Sequence, residues 1–295
     1  LVAEARGVLL DPGADAATRA RYTDHYSLAR LRRLAERRAG SAHCDLWRQL
    51  RLLIDALGQP EGCPALGLPG LGGSLFAAQA TPALLGRDLS NQALLDALRA
   101  LCFTTEGKVR RAVSYANLGA EELGSVYEAL LELHLQINAD QGTVELVTAP
   151  GHERKTTGSY YTPTSLVTCL LDSALDPLLR AARGKPQPEE ALLRLKVVDP
   201  ACGSGHFLVA AAHRIARQVA AVRTGEEEPP VDAVRAALHD VIARCLYGVD
   251  SNEMAVELCK VSLWMEAMEP GKPLSFLDHH VRCGNSLLGA TPALL

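Results

Sequence analysis

The segment Leu195-Lys196-Val197-Val198-Asp199-Pro200-Ala201-Cys202-Gly203-Ser204-Gly205-His206-Phe207-Leu208 is the part of this sequence best equipped for ligand chemistry. A short apolar run ends on a carboxylate, passes through Gly-Ser-Gly and enters a stretch with Phe207, Leu208, Ala211, Ile215 and Val219 at helical spacing. That is the pattern of a strand, tight turn and helix opening a doubly wound sheet, where ligands bind at the carboxyl ends of the strands. Glycines in the turn allow the backbone to approach a ligand closely. A dinucleotide-binding fingerprint asks for Gly or Ala three positions after its second glycine, and here that position is Leu208. Asp199-Pro200 at the head of the loop suits a ligand with hydroxyls and a positive centre better than a pyrophosphate, because a carboxylate attracts the one and repels the other.

Two further strand ends carry suitable groups. Cys245-Leu246-Tyr247-Gly248-Val249-Asp250 is an apolar strand tipped by a carboxylate, placed to accept two hydrogen bonds from a ribose diol. The helix after it is expected to bury Met254, Ala255, Leu258, Val261 and Met265 on one side. His280-Val281-Arg282-Cys283-Gly284-Asn285-Ser286-Leu287 puts the Asn285 amide just past a third strand, where it can meet an adenine edge. Asp199 and Asp250 are 51 residues apart, well beyond the ~20 of a minimal unit. An extra helix over 231–244, after the acidic loop 225–230, accounts for the surplus. Upstream, Thr157-Gly158-Ser159-Tyr160-Tyr161-Thr162-Pro163 precedes a helix opened by Ser165-Leu166-Val167, with Thr162 expected as its cap and Pro163 in its first turn.

The elements ahead of these motifs read as mostly helical. Tyr22, Tyr26, Leu28, Leu31, Leu34, Trp47, Leu50, Leu53, Ile54 and Leu57 fall at helical spacing, giving two helices broken near Gly40-Ser41. Arginines 19, 21, 30, 32, 33, 37 and 38 make this stretch locally basic: either a solvated helix face or one that touches phosphates. The Gly- and Pro-rich 58–73 is a non-helical connection, and Ser90-Asn91 caps a helix through Leu94, Leu95, Leu98 and Leu101. A third helix runs 119–133 with Leu123, Val126, Tyr127, Leu130 and Leu131 on one face, and Thr143 to Thr148 alternates as a short strand. Asp88 with Glu106-Gly107-Lys108 mimics a magnesium-dependent nuclease pattern, but nothing flanking them reads as the buried strand such a site needs.

Composition sets the outer bounds. With 295 residues and 48% hydrophobic side chains the chain can bury a substantial core, so disorder and a disulfide miniprotein are excluded. The formal charge of -4 removes a whole-chain basic excess without excluding a DNA-gripping part elsewhere. The eight scattered cysteines form no Cys-x-x-Cys pair and read as free thiols of a reducing compartment. His279-His280 with Cys283 lacks the second ligand pair of a zinc site, so no metal is expected. No apolar run approaches the ~20 residues of a membrane span, and Leu1 to Leu10 has no signal-peptide core. The expectation is a soluble, cytoplasmic chain with no membrane partner.

Taken in order, Tyr-Tyr-Thr-Pro, Asp-Pro-Ala-Cys-Gly-Ser-Gly-His-Phe-Leu, Gly-Val-Asp-Ser-Asn-Glu-Met-Ala-Val-Glu-Leu-Cys-Lys and Cys-Gly-Asn-Ser-Leu resemble the adenine-specific DNA methyltransferases. Within them the sequence is most similar to the large type IIG-like restriction-modification and BREX phage-defence enzymes. The stretches 66–76 and 115–133 resemble the region preceding the methylase core there.

The resemblance implies S-adenosylmethionine as methyl donor. Tyr161, Thr162 and Pro163 would approach its methionine moiety; Asp199, Ala201, Gly203 and Gly205 would line its amino-acid end, with Phe207 packing nearby. Asp250 would hold the ribose hydroxyls, Ser251 and Asn252 would sit near the adenine, and Asn285 would address its edge. It also implies an α/β fold: a mostly helical region over 1–150, then an incomplete Rossmann-like sheet over 151–295 with strands near 195–199, 246–250 and 280–283 and an unpaired edge. Methylation of the adenine amine further needs base flipping and, in the family, an Asn-Pro-Pro-Tyr-type tetrapeptide. Glu228-Pro229-Pro230-Val231 mimics one but precedes the second cofactor element and lacks the aromatic. The family order puts the tetrapeptide after Asn285, and the chain starts at Leu1 without Met, so a portion of a longer enzyme is expected, inactive by itself. Its partners would be double-stranded DNA, gripped mostly outside this chain, and defence-complex subunits. The alternatives are a non-catalytic DNA- or partner-binding module of a defence complex, and an RNA or protein methyltransferase.

Overall fold

A computed structural model describes residues 1–77, 80–107, 109–116, 118–131, 133–138, 142–148, 162–268 and 275–288. The chain forms two compact units: Leu1–Leu118 with Met268–Ser275, and Gly119–Ala267 with Phe276–Leu295.

The first unit is built on helices: α1 (Val2–Ala5), α2 (Ala16–Arg21), α3 (Leu28–Arg37), α4 (Asp45–Gly58) and α5 (Asn91–Cys102). Leu31, Ala35, Leu46, Trp47, Leu94, Leu95 and Leu98 form its core, so the helical spacing of these apolar positions is what packs α3, α4 and α5 together. Ser90 caps α5 by accepting from Ala93 N–H, as expected. The break at 38–44 falls where Gly40-Ser41 predicts it. A second interruption is new: a π turn at Tyr22–Tyr26 ends at Ser27, whose side chain caps α3. An exposed hairpin of β1 (Phe103–Glu106) and β2 (Val109–Ala112), not expected from the sequence, follows α5. Glu106 ends a solvent-facing strand and pairs with Arg111, while Asp88 pairs with Arg48, so the acidic pattern is spent on surface ion pairs.

The second unit opens with α6 (Ala120–Leu131) and an antiparallel hairpin, β3 (Leu133–Asn138) and β4 (Thr143–Thr148). Helix 119–133 therefore ends earlier than its pattern suggests, because the alternation of Leu133, Leu135 and Ile137 takes over. Val126 and Leu130 are exposed rather than packed. Helix α7 (Thr164–Leu170) is capped by Pro163, with no side-chain cap bond, which corrects the assignment of Thr162. A π turn (Leu171–Leu175), α8 (Asp176–Arg183) and α9 (Pro188–Leu193) lead into a parallel sheet.

The sheet has the order β5 (Val197–Asp199), β6 (Leu246–Asp250), β7 (Val281–Cys283). Parallel neighbours need crossover helices. These are α10 (His206–Thr224) with α11 (Val231–Cys245), then α12 (Glu253–Glu266). Leu208, Ala211, Ile215 and Val219 are buried as their spacing predicts. On α12 the buried residues are Ala255, Val256, Cys259, Lys260, Ser262, Leu263 and Met265; Ala255 and Met265 are buried as expected but Met254 is exposed, so the expected face is rotated by about one position. Among the described residues β5 and β7 are both edges, and Val198 on β5 is 60% exposed. The fold is thus a mixed helix and sheet architecture.

Candidate functional site

Register brings the predicted residues together. Asp199 pairs with Gly248 and Asp250 with Cys283, so the carboxyl ends of β5, β6 and β7 lie side by side. The loop after β5 folds back over β6: Cys202 N–H donates to Val249 C=O at 3.0 Å, and Gly203 N–H to Asp250 Oδ2 at 2.9 Å. Asp250 Oδ1 accepts from Asn252 N–H at 2.9 Å, and the Asp250 carbonyl accepts from Gly284 N–H at 2.8 Å. Asp250 therefore joins the loops of all three strands, its carboxylate holding those after β5 and β6 and its backbone carbonyl the one after β7.

Three glycines make this approach possible. Gly205 caps α10 at φ +88°, and a Cβ there would lie 2.8 Å from Cys259 Sγ. Gly203, at φ +52°, is half-buried, with open space where a Cβ would stand, so nothing crowds that side of its backbone. Gly248 lies against the buried Cys202, where a Cβ would be 3.0 Å from Sγ. The hydrogen bond between Cys202 and Cys259, followed by burial, holds the Cys259 thiol well above its ordinary range; it is neutral packing.

Burial raises the Asp199 carboxyl above its ordinary range, the Ala201 N–H bond lowers it, and the nearby Asp250 raises it again. Both residues retain acceptor capacity, since an ionised carboxylate has about four lone-pair positions. Asp250 uses two on backbone N–H groups, and Asp199 uses one, on Ala201 N–H at 3.1 Å. A half-buried pair of carboxylates with free lone pairs suits a ligand with hydroxyls and positive charge.

The profile of the N-6 DNA Methylase family matches residues 120–288, more than half of the chain. The chain belongs to this family. It is 25% identical over 270 residues to a protein of Methanocaldococcus jannaschii described as a type II restriction enzyme and methyltransferase, covering 75% of this chain and 21% of that one. The adenine-specific methyltransferase PglX of Streptomyces coelicolor is 36% identical over 118 residues, 39% of this chain and 8% of its own length. The type II restriction enzyme and methyltransferase Eco57I of Escherichia coli is 24% identical over 192 residues. The chain thus spans about a fifth or less of these relatives. The type IIL restriction-modification enzyme MmeI, solved in complex with DNA, shares the fold over 92% of this chain and 36% of its own, with a TM-score of 0.52 and 16% identity.

Within this candidate site the predicted residues are not all free for a ligand. Asn252 caps α12 through Oδ1, which accepts from Met254 N–H and Ala255 N–H, and its Nδ2 donates to Tyr127 OH at 2.7 Å. Its carboxamide is engaged locally, while the neighbouring Ser251 is exposed. Asn285 follows β7 as expected and is exposed, with Oδ1 accepting from Leu287 N–H. Phe207, Asp199 and Pro200 line a cavity of about 320 Å³ along β5, whose other walls include Leu171, Leu175 and Val197. Ala201 is exposed in the loop, and Thr162 and Pro163 lead into α7. Tyr161 lies outside the described residues.

Tyr127 and Gly124, which no sequence motif marks, also border this candidate site. Helix α6 sets Gly124 against Ser204, where a Cβ would lie 2.6 Å from Oγ, and Tyr127 against Asn252. Burial raises the Tyr127 hydroxyl above its usual range, so it stays protonated and can donate its own hydrogen. Among the described residues no cluster of three His, Cys, Asp or Glu could hold a metal. His280 instead stacks on Tyr247 with ring centroids 4.6 Å apart and its Nδ1 meets Leu246 C=O at 2.8 Å.

Proposed function

We propose that this chain is the cofactor-binding part of an adenine-N6 DNA methyltransferase acting in restriction-modification or phage defence. The observation that carries the reading is the Asp250 junction, where one carboxylate ties the Gly203 loop to Asn252 at the ends of adjacent parallel strands. That arrangement, with an uncrowded glycine beside it, fits a nucleoside bearing a positive centre, and membership of the N-6 DNA methylase family supports S-adenosylmethionine. When bound, S-adenosylmethionine supplies an electrophilic methyl group.

On this reading the sheet is the opening of a Rossmann-like methyltransferase fold, entered after a mostly helical region over 1–150. Asp250 accepts the ribose hydroxyls with its remaining lone pairs. Asp199 complements the positive end of the cofactor, and Ala201, Gly203 and Gly205 bring backbone close to it. Tyr161, Thr162 and Pro163 approach the methionine moiety, Phe207 packs nearby, and Ser251, Asn252 and Asn285 surround the adenine. DNA is the methyl acceptor, with partner subunits and a cytoplasmic location following from the same assignment. Among the described residues no helix is long and apolar enough to cross a membrane.

Calorimetry of the chain with S-adenosylmethionine tests the reading. Saturable heat is expected for the native chain and its loss in Asp250→Ala; equal heats for the two proteins contradict the site.

A further inference from the structure

The arginines of the first unit divide into two groups. Some are structural: Arg19 donates to the carbonyls of Asp11, Pro12 and Ala14, Arg21 to that of Ala65, and Arg99 to those of Ala35 and Arg38 while also pairing with Asp96. Others are not used in this way. Between residues 28 and 38 five arginines stand against one acidic residue, Glu36. Leu31 and Ala35 occupy the buried face of α3, so Arg33 and Arg37, four residues apart, share the outward one, while Arg30 is half-buried beside them and donates to Gln49 Oε1.

The hairpin of β1 and β2 extends this basic surface. The Arg32 and Arg110 guanidiniums both lie over the Phe103 ring, at 5.6 and 6.0 Å from its centroid. Two like charges converge there, and the hairpin's Glu106 is already paired with Arg111. Among the described residues no carboxylate pairs with Arg32, Arg33, Arg37, Arg38 or Arg110, and the last four are exposed. A converging set of uncompensated guanidiniums is complementary to a regularly spaced polyanion.

We propose that α3 and the β1–β2 hairpin form a contact surface for the phosphate backbone of duplex DNA, independent of base sequence. The choice of DNA over another polyanion rests on the methyltransferase reading. The surface carries positioning contacts and no base recognition.

Anisotropy of a short fluorescent duplex, titrated with the full chain at several salt concentrations, tests the proposal. Each phosphate contact contributes roughly 0.9 to the slope of log K against log salt, so Ala at Arg33, Arg37 and Arg110 together lowers the slope by about 2.7. Between about 50 and 200 mM salt, the native chain then loses roughly forty-fold more affinity than the triple variant. Lys at the same three positions keeps the slope, and circular dichroism confirms that each variant is folded. An unchanged slope in the alanine variant overturns the proposal, as does a lysine variant that behaves like the alanine one. Displacement of the duplex by polyglutamate at equal charge concentration overturns it in favour of an acidic protein partner. S-adenosylmethionine affinity is measured on the same proteins: its absence in the native chain strikes the methyltransferase reading, whereas a changed DNA slope alone concerns this surface.

Discussion

Asp250→Asn separates the two tasks assigned to Asp250. The native carboxylate accepts Gly203 N–H on one oxygen and Asn252 N–H on the other, both at 2.9 Å. Asparagine keeps one acceptor oxygen and turns an NH2 donor toward the other N–H, so one charge-assisted bond is lost and a donor meets a donor. Hydrogen bonds to charged groups contribute about 1.5–3 kcal/mol, and the half-buried position of Asp250 places it at the lower end, about 1.5 kcal/mol. For a unit of this size that lowers Tm by about 3–6 °C. The same change removes an acceptor for one ribose hydroxyl, which weakens S-adenosylmethionine by about tenfold. Differential scanning fluorimetry reads the first effect and calorimetry the second. A fall in Tm with cofactor affinity held within twofold would show that Asp250 only latches the loops; no change in either refutes the junction itself.

Other substitutions probe the supports of the site. Burial raises the Asp199 pKa, so its ionised form costs the fold stability at neutral pH, and that cost is relieved as pH falls through the raised pKa. Asp199→Asn should therefore melt higher than the native chain at neutral pH, converge with it at acidic pH, and bind S-adenosylmethionine more weakly; a variant that melts lower at neutral pH contradicts this. Gly205→Ala combines a φ of +88° with a Cβ 2.8 Å from Cys259 Sγ and should cost about 2 kcal/mol or more in denaturant unfolding. Part of that cost should return in a Cys259→Ala background, and a loss below about 0.5 kcal/mol would dismiss the clash. Tyr127→Phe removes the acceptor of Asn252 Nδ2 and should lower stability by about 1 kcal/mol. It should also weaken the cofactor several-fold, and an unchanged Tm and affinity would remove Tyr127 from the site.

The second half of the chain was legible where one local rule decides the outcome. Val197 to Leu208 reads as strand, glycine turn and helix because its apolar period changes at Gly205, where the backbone is left-handed. The strands ending at Asp250 and Cys283 follow the same logic. On helix α12 the expected face holds at Ala255 and Met265 but is rotated by about one position, because the buried side also includes Cys259 and Ser262, small residues that carry little apolar signal. The hairpin at 103–112 was hidden by short strands of mixed polarity, although Gly107 between them, at φ +62°, is the turn residue that marks it. Tyr127 was unreadable as a site residue for a different reason: its partner Asn252 is 125 positions away, and only packing brings them together.

The central claim, that the ends of β5, β6 and β7 hold S-adenosylmethionine, is tested most directly by amide resonances of the chain titrated with the cofactor. The account predicts saturable shifts of the Gly203, Ser251, Asn252 and Gly284 amides with one common affinity, and their loss in Asp250→Ala. Saturable binding whose shifts spare these four amides would contradict it.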